Sequence, residues 1–113
     1  MGRDDYYVIV YQILAYLYTQ LKAGDPVDPK LLQHDSQYLN VNETYWLYIM
    51  EHLLEDGYIE NITVTRVWGN QIMVNNLGNC RITPQGIAYL CDNSFIEKAK
   101  QFLKDVKAIV PFV

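Results

Sequence analysis

The segment from Asn42 to Asp56 gathers the side chains of this sequence best placed for chemistry. It carries Glu43, Glu51, Glu55 and Asp56 with Tyr48 and His52, and it holds no Lys or Arg. Carboxylates beside an imidazole are the residue types of acid–base catalysis. Here His52 adjoins Glu51 and lies one helical turn from Glu55 and Tyr48, which does not in itself make a proton-transfer pair. The plainer reading is an exposed helical histidine. His34 is the only other histidine, and Cys80 and Cys91 lack the short spacing of a metal pair. Gly69 and Gly78 fall in turn sequences, and no glycine-rich phosphate loop is present. The residues therefore point away from an enzyme, and no cofactor or metal is expected.

Binding is the remaining chemistry, and it depends on the elements that carry these residues. Asp5 to Ala23 reads as a helix with an aspartate at its start and Gly24 as its stop. Ile9, Ile13, Leu17 and Leu21 form one stripe, and Tyr7, Tyr11, Leu14 and Tyr18 form a second beside it. Val10, Tyr6 and Tyr16 leave almost no polar face. A helix apolar nearly all round is central to a core or shared with a partner, and the small size of the chain favours a partner. Asp28-Pro29 predicts a short helix to Asp35. After a turn, Asn42 caps a third helix to Asp56. Trp46, Ile49, Met50 and Leu53 share its inner face, and Gly57 closes it. Two helices joined by a turn of this kind make a helix-turn-helix.

A strand follows from Tyr58 to Val67. Gly69-Asn70, between Trp68 and Gln71, signals a two-residue hairpin turn, and Ile72 to Val74 continue the return strand. Ile62, Val64 and Trp68 compete with Val67, Ile72 and Val74 for the buried face. Asn75 to Asn79 reads as a second turn and Cys80 to Ile82 as a third strand. Thr83-Pro84 opens a helix to Leu90 or Cys91. Ser94 with Glu97 reads as a capping box for a last helix running to about Val110, with Pro111 as its stop. Phe95, Ile96, Ala99, Phe102, Leu103, Val106 and Ile109 form its apolar seam. This order predicts an α+β fold, a winged helix-turn-helix with an added long C-terminal helix over 94–110, in one domain spanning 1–113.

Composition bounds the partners. With 113 residues, 50% apolar and 19% charged, the chain can bury a core without a disulfide. No apolar run reaches the roughly 20 residues that cross a bilayer. Asp4 and Asp5 argue against a secretory signal, and Tyr6 stands where a myristoylation motif requires Ser or Thr. The expectation is a cytoplasmic protein with reduced thiols and no membrane association. The net charge of −4 is unevenly spread. Ala23 to Glu60 holds eight acids against Lys30, whereas Asn61 to Val113 holds six bases against three acids.

In a helix-turn-helix the second helix enters the major groove. Its outer face here would present Thr44, Tyr45, Tyr48, Glu51, His52 and Glu55, supplemented by Arg66 and Trp68 of the wing. Affinity for duplex comes mostly from cations that neutralise phosphates, and each close like-charge pair costs about 1 kcal/mol even in water. DNA is therefore disfavoured, and a basic or polar protein partner suits the same face. The bland reading of Trp68 is packing across the hairpin onto Arg66 or Met73. A homodimer is expected through the first and last helices, with Tyr7, Tyr11, Leu14 and Tyr18 meeting Phe95, Ala99, Phe102 and Val106. The bland alternative is that these two helices pack on each other within one chain. Ten tyrosines suit surfaces that are part apolar and part wet.

The DDYYVIVYQILAYLYTQL opening, the YWLYIMEHLLEDGYIE helix, the ITPQGIAYL segment and the terminal NSFIEKAKQFLKDVKAIVPF helix together resemble the YjcQ-like family of bacterial and phage proteins. The resemblance spans nearly the whole chain. It implies a fold similar to winged-helix transcription regulators, and it supplies no catalytic or ligand residues. The resemblance strengthens the fold reading, and the residues lead to a non-enzymatic binding module with an acidic helix face for a protein partner. The alternative is a DNA-binding regulator using the same helix and a wing.

Overall fold

The computed structural model describes residues 1–106, and the expected end of the last helix, with Ile109, Val110 and Pro111, lies outside them. The elements run α1 (Tyr6–Ala23), α2 (Glu43–Glu55), β1 (Ile59–Glu60), β2 (Thr63–Val67), β3 (Gln71–Asn75), β4 (Arg81–Ile82), α3 (Pro84–Asp92) and α4 (Ser94–Asp105). The fold is mixed α+β with two small antiparallel sheets, one pairing β1 with β4 and the other β2 with β3.

α1 is the central helix. Every residue from Val8 to Leu17 is buried except the half-buried Tyr11. Its lack of a polar face is thus satisfied within one chain, which corrects the preference for a partner. Gly24 ends it at φ 72°, and the Asp25 amide returns to the Gln20 carbonyl at 3.0 Å, as in a Schellman stop. α4 lies against α1, with Ala99 and Leu103 closed over Val8, Tyr7 and Tyr11. Its cap is Asn93, whose side chain accepts from the amides of Phe95 and Ile96, so Ser94 is the first helical residue and not the cap.

The helix expected over Pro29 to Asp35 is not formed. The segment is a chain of turns closed by three-residue bonds, such as Leu32 N–H to the Pro29 carbonyl at 3.2 Å. Three claims on its backbone work against a helix. Asp28 accepts from the Lys30 amide at 3.0 Å. Ser36 Oγ donates to the Leu31 carbonyl at 3.0 Å, and Trp46 Nε1 donates to the Leu32 carbonyl at 2.8 Å. Local side-chain bonds of this kind compete with a short helix that has little cooperativity of its own. The irregular stretch is held to the core by side chains instead. Tyr16 Oη accepts from the Asp28 amide at 2.8 Å. Gln12 and Tyr38 each donate a side-chain bond to the other's carbonyl, at 3.1 and 2.6 Å. These bonds satisfy polar groups that would otherwise be costly to bury.

α2 forms as expected, with Asn42 accepting from the Tyr45 amide and Trp46, Ile49, Met50 and Leu53 buried. The segment beyond it is not one strand from Tyr58 to Val67. Asn61, at φ 70°, breaks it into β1 and β2, and Asn76, at φ 68°, breaks the opposite side. β1 and β4 pair Ile59 with Ile82 in the core, while β2 and β3 run on as a separate ribbon.

The α3 start binds the α2–β1 turn through three successive carbonyls. Gln85 Nε2 donates to Asp56 O at 3.1 Å, Thr83 Oγ1 to Gly57 O at 2.5 Å, and the Thr83 amide to Tyr58 O at 3.0 Å. Thr83 Oγ1 also accepts from the Gly86 amide at 2.9 Å, so one hydroxyl both caps α3 and ties it down. Gly86 allows the contact: a Cβ there would stand 2.2 Å from Tyr58 O. The Thr-Pro-Gln-Gly run is a docking motif as well as a helix start.

Candidate functional site

On the outer side of α2, Thr44, Tyr48 and Glu55 are exposed, while Tyr45, Glu51 and His52 are half-buried. The structure thus brings the six expected α2 residues onto one helix. It also places the chain's own N-terminus beside them. Tyr45 Oη donates to the Asp4 carbonyl at 2.8 Å. The Tyr45 hydroxyl pKa is raised by burial and then by the carboxylates of Asp4 and Asp5. The face is therefore more acidic and less open than α2 alone implies.

The tyrosines of this region form a belt that sequence spacing does not reveal. His52 lies against Tyr48 with ring centres 4.2 Å apart, and its Nδ1 is 2.8 Å from the Tyr48 carbonyl. Tyr48 meets Tyr6 edge-on at 6.4 Å, Tyr6 meets Tyr7 edge-on at 5.2 Å, and Tyr7 stacks on Phe95 at 5.1 Å. Tyr89 stacks on Tyr58 at 4.1 Å with planes 8° apart, and burial followed by the neighbouring Tyr7 and Tyr6 hydroxyls raises its own hydroxyl. The belt joins α2, the start of α1, α3 and the start of α4. Tyr48 is 55% exposed and Phe95 50%, so its rings are available to a partner. Burial, with the Asp56 carboxylate, pushes the Tyr6 hydroxyl up to about 12. Burial, with Glu97, raises Tyr11. Acids thus flank the belt, and Lys98 stands over Phe95 at 5.4 Å at one end.

A family model described as YjcQ protein matches residues 11–109. The chain belongs to the YjcQ family. No curated protein and no solved structure matches it. Membership agrees with the resemblance carried by the α1, α2, α3 and α4 segments. It assigns no role to any residue of this YjcQ-family chain.

Arg66 and Trp68, expected on a wing, stand apart on the β2–β3 ribbon. Its loop is three residues, Trp68 to Asn70, with Val67 and Gln71 as the last pair, and not the expected two. Gly69 supplies the left-handed residue at φ 78°. Trp68 therefore belongs to the loop and is 98% exposed, which overturns its expected packing on Arg66 or Met73. Arg66 is exposed as well. The two rival sets for the buried face were not alternatives. Val64 and Val74 are directly opposite each other, and with Ile72 they make one half-buried face.

The dimer set divides. Leu14 and Ala99 are completely buried inside the chain and are withdrawn from any contact with a second copy. Tyr7, Tyr11, Tyr18 and Phe102 are half-buried, and Phe95 and Val106 are exposed. The seam between first and last helices is closed within one chain, as the bland alternative held. Among the other candidates, His34 bridges the Val41 carbonyl at 3.2 Å and Glu43 at 3.5 Å. Cys80 is buried, with its thiol pushed up to about 12 by burial and then Glu60, whereas Cys91 is exposed on α3. Among the described residues no helix is long and apolar enough to cross a membrane.

Proposed function

We propose that this chain is a non-enzymatic winged-helix binding module that receives a basic segment of a protein partner on the outer side of α2 and the adjoining tyrosine belt. The observation that carries the reading is the half-exposed belt from His52 through Tyr48, Tyr6 and Tyr7 to Phe95, bordered by Asp4, Asp5, Asp56 and Glu97. Aromatic faces attract guanidinium and ammonium groups, and flanking carboxylates steer them. Tyr also gives a large contact area at low entropic cost.

The same features weigh against duplex DNA. Phosphates would meet Glu51, Glu55 and Asp56, reinforced by Asp4 and Asp5, with no cation on α2. A DNA-binding regulator is the second reading, and the exposure of Arg66 and Trp68 at the hairpin tip is what favours it. One experiment separates the two. A labelled arginine–glycine repeat peptide and a random duplex are each titrated at low salt. The expected result is peptide binding that Tyr48→Ala weakens about tenfold, with no duplex retention. Duplex binding that falls steeply as salt rises, without peptide binding, overturns the proposal.

A further inference from the structure

Among the described residues β2 and β3 pair only with each other, so the outer edge of β3 is open. A lone two-stranded ribbon is marginal in water, and an open edge recruits further strands unless Lys, Pro or a bulge blunts it. This ribbon carries no such device. Arg66 is the one charged residue between Asn61 and Cys80, and β3 itself, Gln-Ile-Met-Val-Asn, is uncharged. Met73 is 50% exposed, Val67 38% and Trp68 98%.

The β3 sequence is also symmetric in kind about its centre: polar, aliphatic, methionine, aliphatic, polar. An antiparallel pair of identical strands with Met73 on the two-fold axis sets Ile72 opposite Val74 and Gln71 opposite Asn75. Every facing pair is alike in character and none is like-charged. We infer that the open edge of β3 pairs with β3 of a second copy, giving a four-stranded sheet across a two-fold axis. Such an interface is isologous, the commonest kind between identical chains. Ile72 and Val74 of both copies then adjoin on one face, flanked on each side by the Val64 and Arg66 that pair with them in β2.

Five residues of strand bury less than the roughly 1,200–2,000 Å² of a standard interface. The dimer is accordingly weak, with a dissociation constant on the order of 100 μM.

The inference is independent of the α2 reading, because neither surface uses the other's residues. Sedimentation equilibrium of the full chain tests it, together with oxidative cross-linking of Met73→Cys and Thr65→Cys, each in a Cys91→Ser background. The expected result is a concentration-dependent dimer, weakened at least about tenfold by Met73→Arg. Met73→Cys forms a cross-linked dimer, and Thr65→Cys, which faces Met73 within its own ribbon, does not. Met73 is exposed, so these variants leave the core intact, and circular dichroism verifies that they fold. A chain that stays monomeric to about 2 mM overturns the inference. So does a dimer that is indifferent to Met73→Arg and fails to cross-link at position 73.

Discussion

The helical body and the β2–β3 ribbon follow opposite rules. In the body, α1 is enclosed by α2, α3, α4 and the β1–β4 pair, and its polar groups have named partners. Gln12 and Tyr38 satisfy each other, Trp46 reaches Leu32, and Thr83 and Gln85 occupy three successive carbonyls. In the ribbon, β2 and β3 have each other, a half-buried Val64–Val74 pair and little else. Large apolar side chains of the body are mostly enclosed, with Tyr48 and Phe95 of the belt among the exposed exceptions, whereas Val67, Trp68 and Met73 of the ribbon face solvent. An exposed patch of this kind marks a surface for contact, on the ribbon as at the exposed ends of the belt, whereas the enclosed side chains of the body report only packing.

Substitutions can break or sharpen that contrast. Ile49→Ala, at a position with no exposure, is expected to cost about 2–5 kcal/mol in denaturant unfolding. Gly86→Ala comes next, at about 2–3 kcal/mol. Alanine ordinarily favours a helix, so the loss isolates the close approach of Gly86 to Tyr58, and near-ultraviolet dichroism is expected to report a disturbed Tyr58–Tyr89 stack. Thr83→Val, which keeps the shape and removes the hydroxyl, is expected to cost about 1–2 kcal/mol because it ends both the α3 cap and the bond to Gly57.

A smaller effect concerns pH. The Tyr6 hydroxyl is raised from 10.0 to about 12, so the folded chain favours the neutral phenol. Its contribution is complete below pH 10.0 and is lost as pH rises through about 12. Tyr6→Phe is expected to flatten the decline of the thermal midpoint across that window, and an unchanged slope would remove Tyr6 from the buried end of the belt. Smallest of all, Trp68→Ala is expected to change stability by less than about 0.5 kcal/mol in dilute protein. A loss of 2 kcal/mol or more there would erase the distinction between body and ribbon.

Much of the body was legible in the sequence because its signals are local. Stripes at helical spacing, Asn42 as a cap, Gly24 as a stop, Gly69 at the hairpin tip and Thr83-Pro84 at the start of α3 each act within a few residues. What escaped was set by distant groups. The Pro29–Asp35 helix failed because Trp46, remote in sequence, takes the Leu32 carbonyl, and Ser36 takes that of Leu31. Thr83-Pro84 announced a helix, but nothing nearby told that Gln85 and Gly86 would grip residues 56–58. The acids of α2 were plain in the sequence. The tyrosine belt beside them was not, since Tyr6, Tyr7, Tyr48, Tyr58 and Tyr89 meet only after four elements converge. The centrality of α1 could have been read from its missing polar face, had α4 been assigned to cover it.

The grip of Thr83 and Gln85 on residues 56–58 lies below the point where Asn61 and Asn76 divide the ribbon from the body. A protease that severs the loop at Gly69 would therefore leave the two fragments attached as a single particle. Expressed as separate peptides, they would be expected to find each other again. The chain's continuity is needed at its base and is dispensable at its tip.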